Sequence, residues 1–179
     1  MTTPDNHAKN QAAAQVAGII EMLAAVNCDY SRLEELKEEL ESVCESESEE
    51  NIFLAWVTSQ SANPEAIFHN SANEYLELKS ESGECEGEEE AREAIQNDPL
   101  SVQVRSDWEN VGDDFTASEF MILLCTGGPA VRIVGELSGH GEPCRAWLEY
   151  QDWGTPWTRF YDVESDVLVE YASNFYFQS

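Results

Sequence analysis

Apolar residues recur along this chain with two different periods, and the change of period falls near the Asp98-Pro99 pair. Before that pair, apolar positions three or four residues apart predict helices. Two such sets lie on either side of Asp29, which supplies a helix start: Val16, Ile19, Ile20, Leu23 and Val26, then Tyr30, Leu33, Leu36, Leu40 and Val43. The second set is amphipathic, because charged residues fill most positions between the apolar ones.

The same spacing predicts further helices. One lies around residues 52–57. The next is expected to start at Pro64, with Asn63 as its cap, and to bury one apolar face: Ile67, Phe68, Ala72, Tyr75 and Leu76. Residues 80–90 are rich in Glu, Ser and Gly and predict an acidic loop, closed by a short helix over residues 88–96. A last helix is predicted near the C-terminus by Val163, Val167, Leu168 and Tyr171.

After Asp98-Pro99 the period becomes two, which is typical of strands. Residues 120–125 form a short apolar run that ends in the turn Thr126-Gly127-Gly128-Pro129. Residues 131–137 and 146–150 predict two more strands on either side of a glycine-rich turn. Consecutive strands with tight turns favour an antiparallel meander of three to five strands. Residues 100–105 would be a further strand and residues 175–177 a last edge strand.

These elements predict an α+β protein in which an N-terminal acidic helical layer packs on a small antiparallel β-sheet. The composition favours a folded chain, because 42% of the residues are apolar and they include five Trp, six Tyr and seven Phe. We expect an acidic helical region over residues 1–98 and a sheet region with a C-terminal helix over residues 99–179, together forming one compact unit.

The charge narrows the classes of partner. The 179 residues include 36 acidic and nine basic side chains, for a formal net charge of −27, whereas a magnitude of about 2 to 8 suffices for the solubility of a small domain. Such a field repels nucleic acids and anionic membranes and attracts basic surfaces. The predicted partner is therefore a basic nucleic-acid-binding protein or complex, with no direct binding of nucleic acid or membrane. A homodimer is left open.

The acidic residues are dense around the second predicted helix. The candidate partner-binding carboxylates are those of Glu34, Glu35, Glu38, Glu39, Glu41, Glu45, Glu47, Glu49 and Glu50. The first six of them give one carboxylate per about 3 Å of helix axis. One DNA strand carries one phosphate per about 3.4 Å, so this helix is expected to approximate the charge density of one duplex edge.

Other interpretations of the same residues stay open. A Glu-rich helix face is ordinarily solvated, and adaptation to high salt also produces acid-rich chains with few lysines. The alternative functional hypothesis is a protein–protein adaptor, in which the acids serve only solubility or salt tolerance and an aromatic segment makes the contact. Its contact residues would be Trp153, Trp157, Phe160 and Tyr161. The same aromatics could instead form a core lid, with Trp147 facing the helices.

Catalytic and metal sites are not indicated. The three histidines form no recognisable catalytic arrangement, the Gly127-Gly128 pair lacks the Gly-Lys-Ser/Thr ending of a phosphate-binding loop, and the five cysteines form no Cys-X-X-Cys pair. We therefore expect no enzyme activity, no catalytic residues, no metal and no cofactor. The chain has neither the roughly 18 consecutive apolar residues of a membrane span nor an N-terminal signal-peptide pattern, so a cytoplasmic location in a bacterial host is expected.

Two segments carry a resemblance to known proteins: residues 123–137, LLCTGGPAVRIVGEL, and residues 146–158, AWLEYQDWGTPWT. They resemble a family of small acidic proteins of bacteriophages and mobile elements, over roughly residues 98–177. The resemblance implies no catalytic residues. By analogy with acidic anti-restriction and anti-CRISPR proteins, it implies a non-enzymatic, phage-type anti-defence inhibitor that mimics nucleic acid and blocks a basic nucleic-acid-binding groove.

Overall fold

A computed structural model describes residues 4–44, 50–112 and 115–177, with side chains from His7 onward. Within these ranges the elements follow in the order α1 Pro4–Asn27, α2 Tyr30–Glu41, α3 Glu50–Ala62, α4 His69–Ser82, α5 Glu88–Asn97, β1 Ser101–Arg105, β2 Glu119–Cys125, β3 Ala130–Leu137, β4 Pro143–Gln151, β5 Thr158–Phe160 and α6 Ser165–Ala172. The predicted α+β class, with N-terminal helices followed by an antiparallel sheet, is confirmed.

The described chain divides into two compact units. One is Ala24–Ala91, and the other combines the residues up to Leu23 with those from Arg92 onward. The net charge divides unevenly between the two sequences. Ala24–Ala91 holds 19 acidic and three basic residues, which is −16 of the total of −27.

In the Ala24–Ala91 unit, three helices bury a common core: Leu36, Leu40, Phe53, Val57, Ala72 and Tyr75. Leu36 and Leu40 are four residues apart, so both lie on one face of α2. Helix α2 starts as predicted, because the Asp29 carboxylate accepts a hydrogen bond from the Arg32 backbone N–H at 2.9 Å. Burial of the leucines therefore holds α2 with its acidic residues outward.

In the other unit, the strands form one antiparallel sheet in the order β1-β2-β3-β4-β5. The register aligns one apolar residue from each strand in a row across the sheet: Val102, Ile122, Ile133, Leu148 and Phe160. The N-terminal part of α1 lies against this face, where the Lys9 ammonium is 5.8 Å from the centre of the Phe160 ring. Helix α6 joins the sheet through the Ser165 hydroxyl, which bonds to the backbone N–H and carbonyl of Ala146 at 3.3 and 3.0 Å.

Helix α4 begins at His69 and not at the predicted Pro64. The Asn63 side chain accepts a hydrogen bond from the Glu65 N–H at 3.2 Å and closes a separate turn before the helix. The prediction of Ile67 as a core residue is therefore wrong, since its side chain is almost fully exposed. The predicted acidic loop is also shorter than residues 80–90, because α4 continues into it and α5 begins before its end.

The predicted last strand over residues 175–177 is wrong. The Asn174 and Phe175 N–H groups bond to carbonyls at the end of α6, which turns the chain. The Phe177 ring then packs against Phe120, with ring centres 4.8 Å apart. The fifth strand is β5, which lies inside the aromatic segment and was missed because its three residues carry too short an alternation to indicate a strand.

Gly135 on β3 is paired with Phe120 on one side and Ala146 on the other. A Cβ at this position would overlap the Phe120 ring and the Arg145 carbonyl oxygen. Gly135→Ala is therefore expected to lower the free energy of unfolding by about 1–3 kcal/mol, as overpacking of a core does. Urea unfolding followed by circular dichroism measures the change.

Gly139→Ala is the matched control for this substitution. A Cβ at Gly139 meets no atom within 4 Å, so its free energy of unfolding should change by no more than about 0.5 kcal/mol. Equal losses in the two variants would contradict the overlap at Gly135.

Candidate functional site

The candidate carboxylates of α2 lie on two flanks of the helix. Five of them are exposed: Glu34, Glu35, Glu38, Glu39 and Glu41. With 3.6 residues per turn, Glu34, Glu38 and Glu41 share one flank, and Glu35 and Glu39 share the other. Glu50 begins α3 and is also exposed. Glu45, Glu47 and Glu49 fall outside the described residues.

Glu35 and Glu39 belong to the contact between α2 and α4. The Arg32 guanidinium donates to both carboxylate oxygens of Glu74, at 2.7 and 2.9 Å, and to Glu35 at 3.3 Å. The Ser71 hydroxyl donates to Glu39 at 3.3 Å. The bonds from Arg32 to Glu74 and from Ser71 to Glu39 join the two helices, and the Arg32–Glu35 bond lies within α2. Both carboxylates of this flank are therefore engaged within the unit.

The other flank, formed by Glu34, Glu38 and Glu41, is called the free flank below. Within the described part of the chain, no hydrogen bond or ion pair involves these three carboxylates. Their axial spacing is about 6 Å from Glu34 to Glu38 and about 4.5 Å from Glu38 to Glu41. The predicted value of one carboxylate per about 3 Å of helix axis included the carboxylates of both flanks. One face of α2 therefore carries fewer charges than one strand of DNA.

Beside the free flank lies a groove of about 1030 Å³. Its lining carries four carboxylates and two ammonium groups: Glu34, Glu41, Glu50, Glu86, Lys37 and Lys79. Tyr30 and Tyr75 line it as well. Burial, with a smaller effect of Cys85, raises the pKa of Tyr30 to about 12, and burial followed by the charge of Glu50 raises the pKa of Tyr75. Both hydroxyls stay protonated at neutral pH, so the groove is net negative.

Three further acidic residues, Glu88, Glu89 and Glu90, occupy the first turn of α5. Carboxylates are favourable there, because the helix N-terminus carries a partial positive charge. The Glu90 carboxylate also accepts a hydrogen bond from the Glu86 backbone N–H at 2.8 Å. This run of glutamates therefore stabilises the start of α5. Its position just before residues with helical apolar spacing already indicates that role.

The sheet face opposite the apolar row concentrates the arginines. The cross-strand register and ring contacts place all four basic residues after Arg92 on this arginine face: Arg105, Arg132, Arg145 and Arg159. Three of them form ion pairs across strands: Arg105 with Glu119, Arg132 with Glu149, and Arg145 with Glu136. Charge is close to balance on this face, so the acidic excess is not spread evenly over the chain's surfaces.

Part of the aromatic segment supports the sheet. Phe160 is buried in the apolar row, which corrects its prediction as a partner-binding residue. The Trp157 ring lies over the Arg132 guanidinium at 4.0 Å. Trp147 was expected to face the helices, but the register pairs it with Val134 on the arginine face, where the Arg159 guanidinium is 5.5 Å from its ring.

Two aromatic side chains of this segment remain available to a partner: Trp153 is 80% exposed and Tyr161 is 79% exposed. A tight turn presents Trp153. Its backbone N–H bonds to the Asp152 carboxylate at 2.8 Å, and the Thr155 hydroxyl accepts from the Asp152 N–H at 3.0 Å. Of the four predicted aromatic contacts, these two lie at the surface without a structural role in the core.

Three of the five thiols, those of Cys28, Cys85 and Cys125, are poorly suited to nucleophilic attack. Burial is the first cause that raises the pKa of Cys28, Cys85 and Cys125. Nearby carboxylates add to it, Glu81 at Cys28 and Glu90 at Cys85. A thiol with a raised pKa carries little thiolate at neutral pH, and the thiolate is the reactive form.

No group of three or more His, Cys, Asp or Glu side chains in the described ranges is arranged to hold a metal ion. No single helix of those ranges is long and apolar enough to cross a membrane. Residues 7–27 and α2 meet that test only when they are taken together as a bent pair.

Comparison of the chain with protein families, with curated proteins and with solved structures found no match. The resemblance of residues 123–137 and 146–158 to acidic phage proteins therefore stays a prediction.

The Arg32–Glu74 pair predicts a pH dependence of stability. The hydrogen bonds that Arg32 donates to the Glu74 carboxylate hold the pKa of this group below its ordinary value. A pKa lowered by folding stabilises the folded state above the unfolded-state pKa, and this stabilisation is lost as the pH falls through the folded pKa. Glu74→Gln should therefore melt below wild type at neutral pH, and the difference should shrink as the pH falls below about 4.3 and vanish once the pH is below the lowered pKa of Glu74. Thermal unfolding by circular dichroism measures it.

Glu77→Gln, an exposed position on the same helix, is the matched control. It should leave the melting temperature close to that of wild type at every pH. A difference between wild type and Glu74→Gln that did not change with pH would contradict the ion-pair explanation.

Proposed function

We propose that this chain is a non-enzymatic inhibitor that mimics nucleic acid and occupies the basic nucleic-acid-binding groove of a partner protein or complex. The observation that carries the proposal is the concentration of negative charge in Ala24–Ala91, which contains 19 acidic residues and only three basic ones. A groove built to bind phosphates attracts such a surface over several ångströms before contact.

The free flank supplies the contact groups. Leu36 and Leu40 are fully buried, so the position of α2 is held by the core and not by its surface charges. The carboxylates of Glu34, Glu38 and Glu41 are left to accept charge-assisted hydrogen bonds from Lys and Arg of a partner. Binding then needs no rearrangement of the helix.

The arginine face argues against adaptation to high salt as the reason for the charge. Salt adaptation should distribute acids over every surface, whereas the arginine face pairs Arg105, Arg132 and Arg145 with glutamates. Since the acid excess is concentrated in Ala24–Ala91, it is better explained by a partner that this unit meets.

The mimicry we propose is of the electrostatic field and not of the phosphate positions. The free flank alone carries one carboxylate per about 5 Å of axis, against one phosphate per about 3.4 Å on a DNA strand. Glu50 and Glu86 beside the groove add to the field. The size and charge of the chain, with the resemblance to phage proteins, favour a bacterial defence complex of the restriction or CRISPR type as the partner.

Charge reversal on the free flank tests this function. Capture of basic nucleic-acid-binding proteins from bacterial lysate by the immobilised chain should be strong at about 50 mM salt, weak at about 200 mM salt, and reversed by added duplex DNA. Glu34→Lys, Glu38→Lys and Glu41→Lys combined should weaken binding to the captured protein by at least about tenfold, because three acceptors become repulsive. Quantitative pulldown measures the loss.

The matched control combines Glu109→Lys, Glu142→Lys and Glu164→Lys, which changes the net charge equally outside Ala24–Ala91. This control should retain most of the binding. Equal losses in both triple variants would show that net charge alone acts, and capture that resists both salt and duplex DNA would overturn the proposal.

The second candidate function, a protein–protein adaptor, is favoured by the exposure of Trp153 and Tyr161. Trp153→Ala with Tyr161→Ala removes both surface rings without touching Trp157, which packs on Arg132. We expect this variant to bind the captured protein like wild type. A loss of binding in this variant alone, with the free-flank variant unaffected, would assign the contact to the aromatic segment.

A further inference from the structure

We infer that the chain forms a symmetric homodimer in which strand β1 pairs antiparallel with β1 of a second copy. Strand β1 is an outer strand of the sheet, with β2 on one side only. The inference rests on this edge and does not depend on the proposed function.

The β1 edge is less protected against pairing than the β5 edge, since the one charged residue of β1, Arg105, is paired with Glu119 of β2. Outer strands of monomeric proteins are commonly kept short or carry charges and prolines. Strand β5, at the opposite edge, is three residues long and includes an exposed Arg159. Strand β1 is five residues long, and its Val102 and Val104 are 39% and 37% exposed. These valines belong to the apolar face of the sheet, so their exposed surface is available for burial by another strand.

The sequence of β1 is suited to pairing with itself. In an antiparallel pair centred on Gln103, Val102 of one copy lies opposite Val104 of the other, and the two Gln103 amides face each other. Ser101 lies opposite Arg105, so no like charges meet. The apolar row of one sheet would then continue across the two-fold axis into the other sheet. Such an interface uses the same patch on both copies, as two-fold dimers require.

Two copies can approach each other at the β1 edge because this edge lacks the acidic residues that cover much of the chain. Each chain carries −27, so two acidic surfaces would repel. Residues 100–106 contain no acidic residue, and the charge of Arg105 is balanced by Glu119 of β2, so strand β1 adds no net charge to this edge. The loop after β1 adds Trp108 and Val111, both fully exposed, and these side chains enlarge the apolar surface beyond the strand pair.

Two double variants test the pairing and its register. Analytical ultracentrifugation of wild type between about 1 μM and about 1 mM should show association to twice the 20.1 kDa chain mass. V102K/V104K places lysine opposite lysine and should abolish the dimer over this range. V102E/V104K places the introduced glutamate of one copy opposite the introduced lysine of the other and should retain it. Thr158→Lys on the opposite edge is the matched control and should not change the mass.

A wild-type chain that stays monomeric throughout this range would overturn the inference. So would a V102K/V104K variant that stays dimeric, since the contact would then lie elsewhere, or a V102E/V104K variant that is monomeric like V102K/V104K. Circular dichroism of both variants verifies that the monomer is folded.

Salt separates this inference from the proposed function. Raising salt from about 50 mM to about 200 mM screens the repulsion between two polyanions, so the dimer should become tighter. Binding to a basic partner should become weaker over the same change. A dimer that dissociates as salt rises would contradict pairing through the uncharged edge. This holds whether or not binding of the free flank to a basic partner weakens over the same change.

Discussion

Repulsion among carboxylates is the constraint on which the rest of this structure depends. With 36 acidic and nine basic residues, an arrangement that brings acidic surfaces together is destabilised. The chain resolves this in Ala24–Ala91 by burying a continuous apolar core beneath α2, α3 and α4, so that the acids are solvated outside it. Arg32 is the basic residue that links α2 to α4, and its position between Glu35 and Glu74 offsets repulsion where the two helices meet.

Three arginines of the sheet also lie next to carboxylates that balance their charge. On the arginine face, Arg105, Arg132 and Arg145 each lie beside a glutamate of a neighbouring strand, and Trp157 covers the Arg132 guanidinium. These pairs let a sheet form in a strongly acidic chain without adding to its field. As a consequence, one unit carries most of the excess charge and the other presents a balanced face and an uncharged edge. A basic partner and a second copy would therefore use different surfaces.

Much of the fold was predictable because it follows from local spacing. The apolar residues of α2 and the alternation in β2, β3 and β4 each repeat over several turns or residue pairs, and the turns between the strands contain Gly or Pro. The errors fall where a short-range signal competes with tertiary contacts. Asn63 closes a turn instead of starting α4, and Phe177 leaves a strand-like run to pack on Phe120.

By itself, the sequence determined the α+β class, the amphipathic α2 and the acidic excess. Composition is a sum over the chain and periodicity involves residues close in sequence, so neither requires knowledge of tertiary contacts. Tertiary structure decided which acids are free. Glu39 is engaged because α4 brings Ser71 beside α2, and no spacing within α2 encodes that contact, whereas Glu35 pairs with Arg32 three residues earlier on α2 itself. Tertiary structure also separated Phe160, which is buried, from Trp153, which is not, because the register of β4 with β5 sets which side chains face the core.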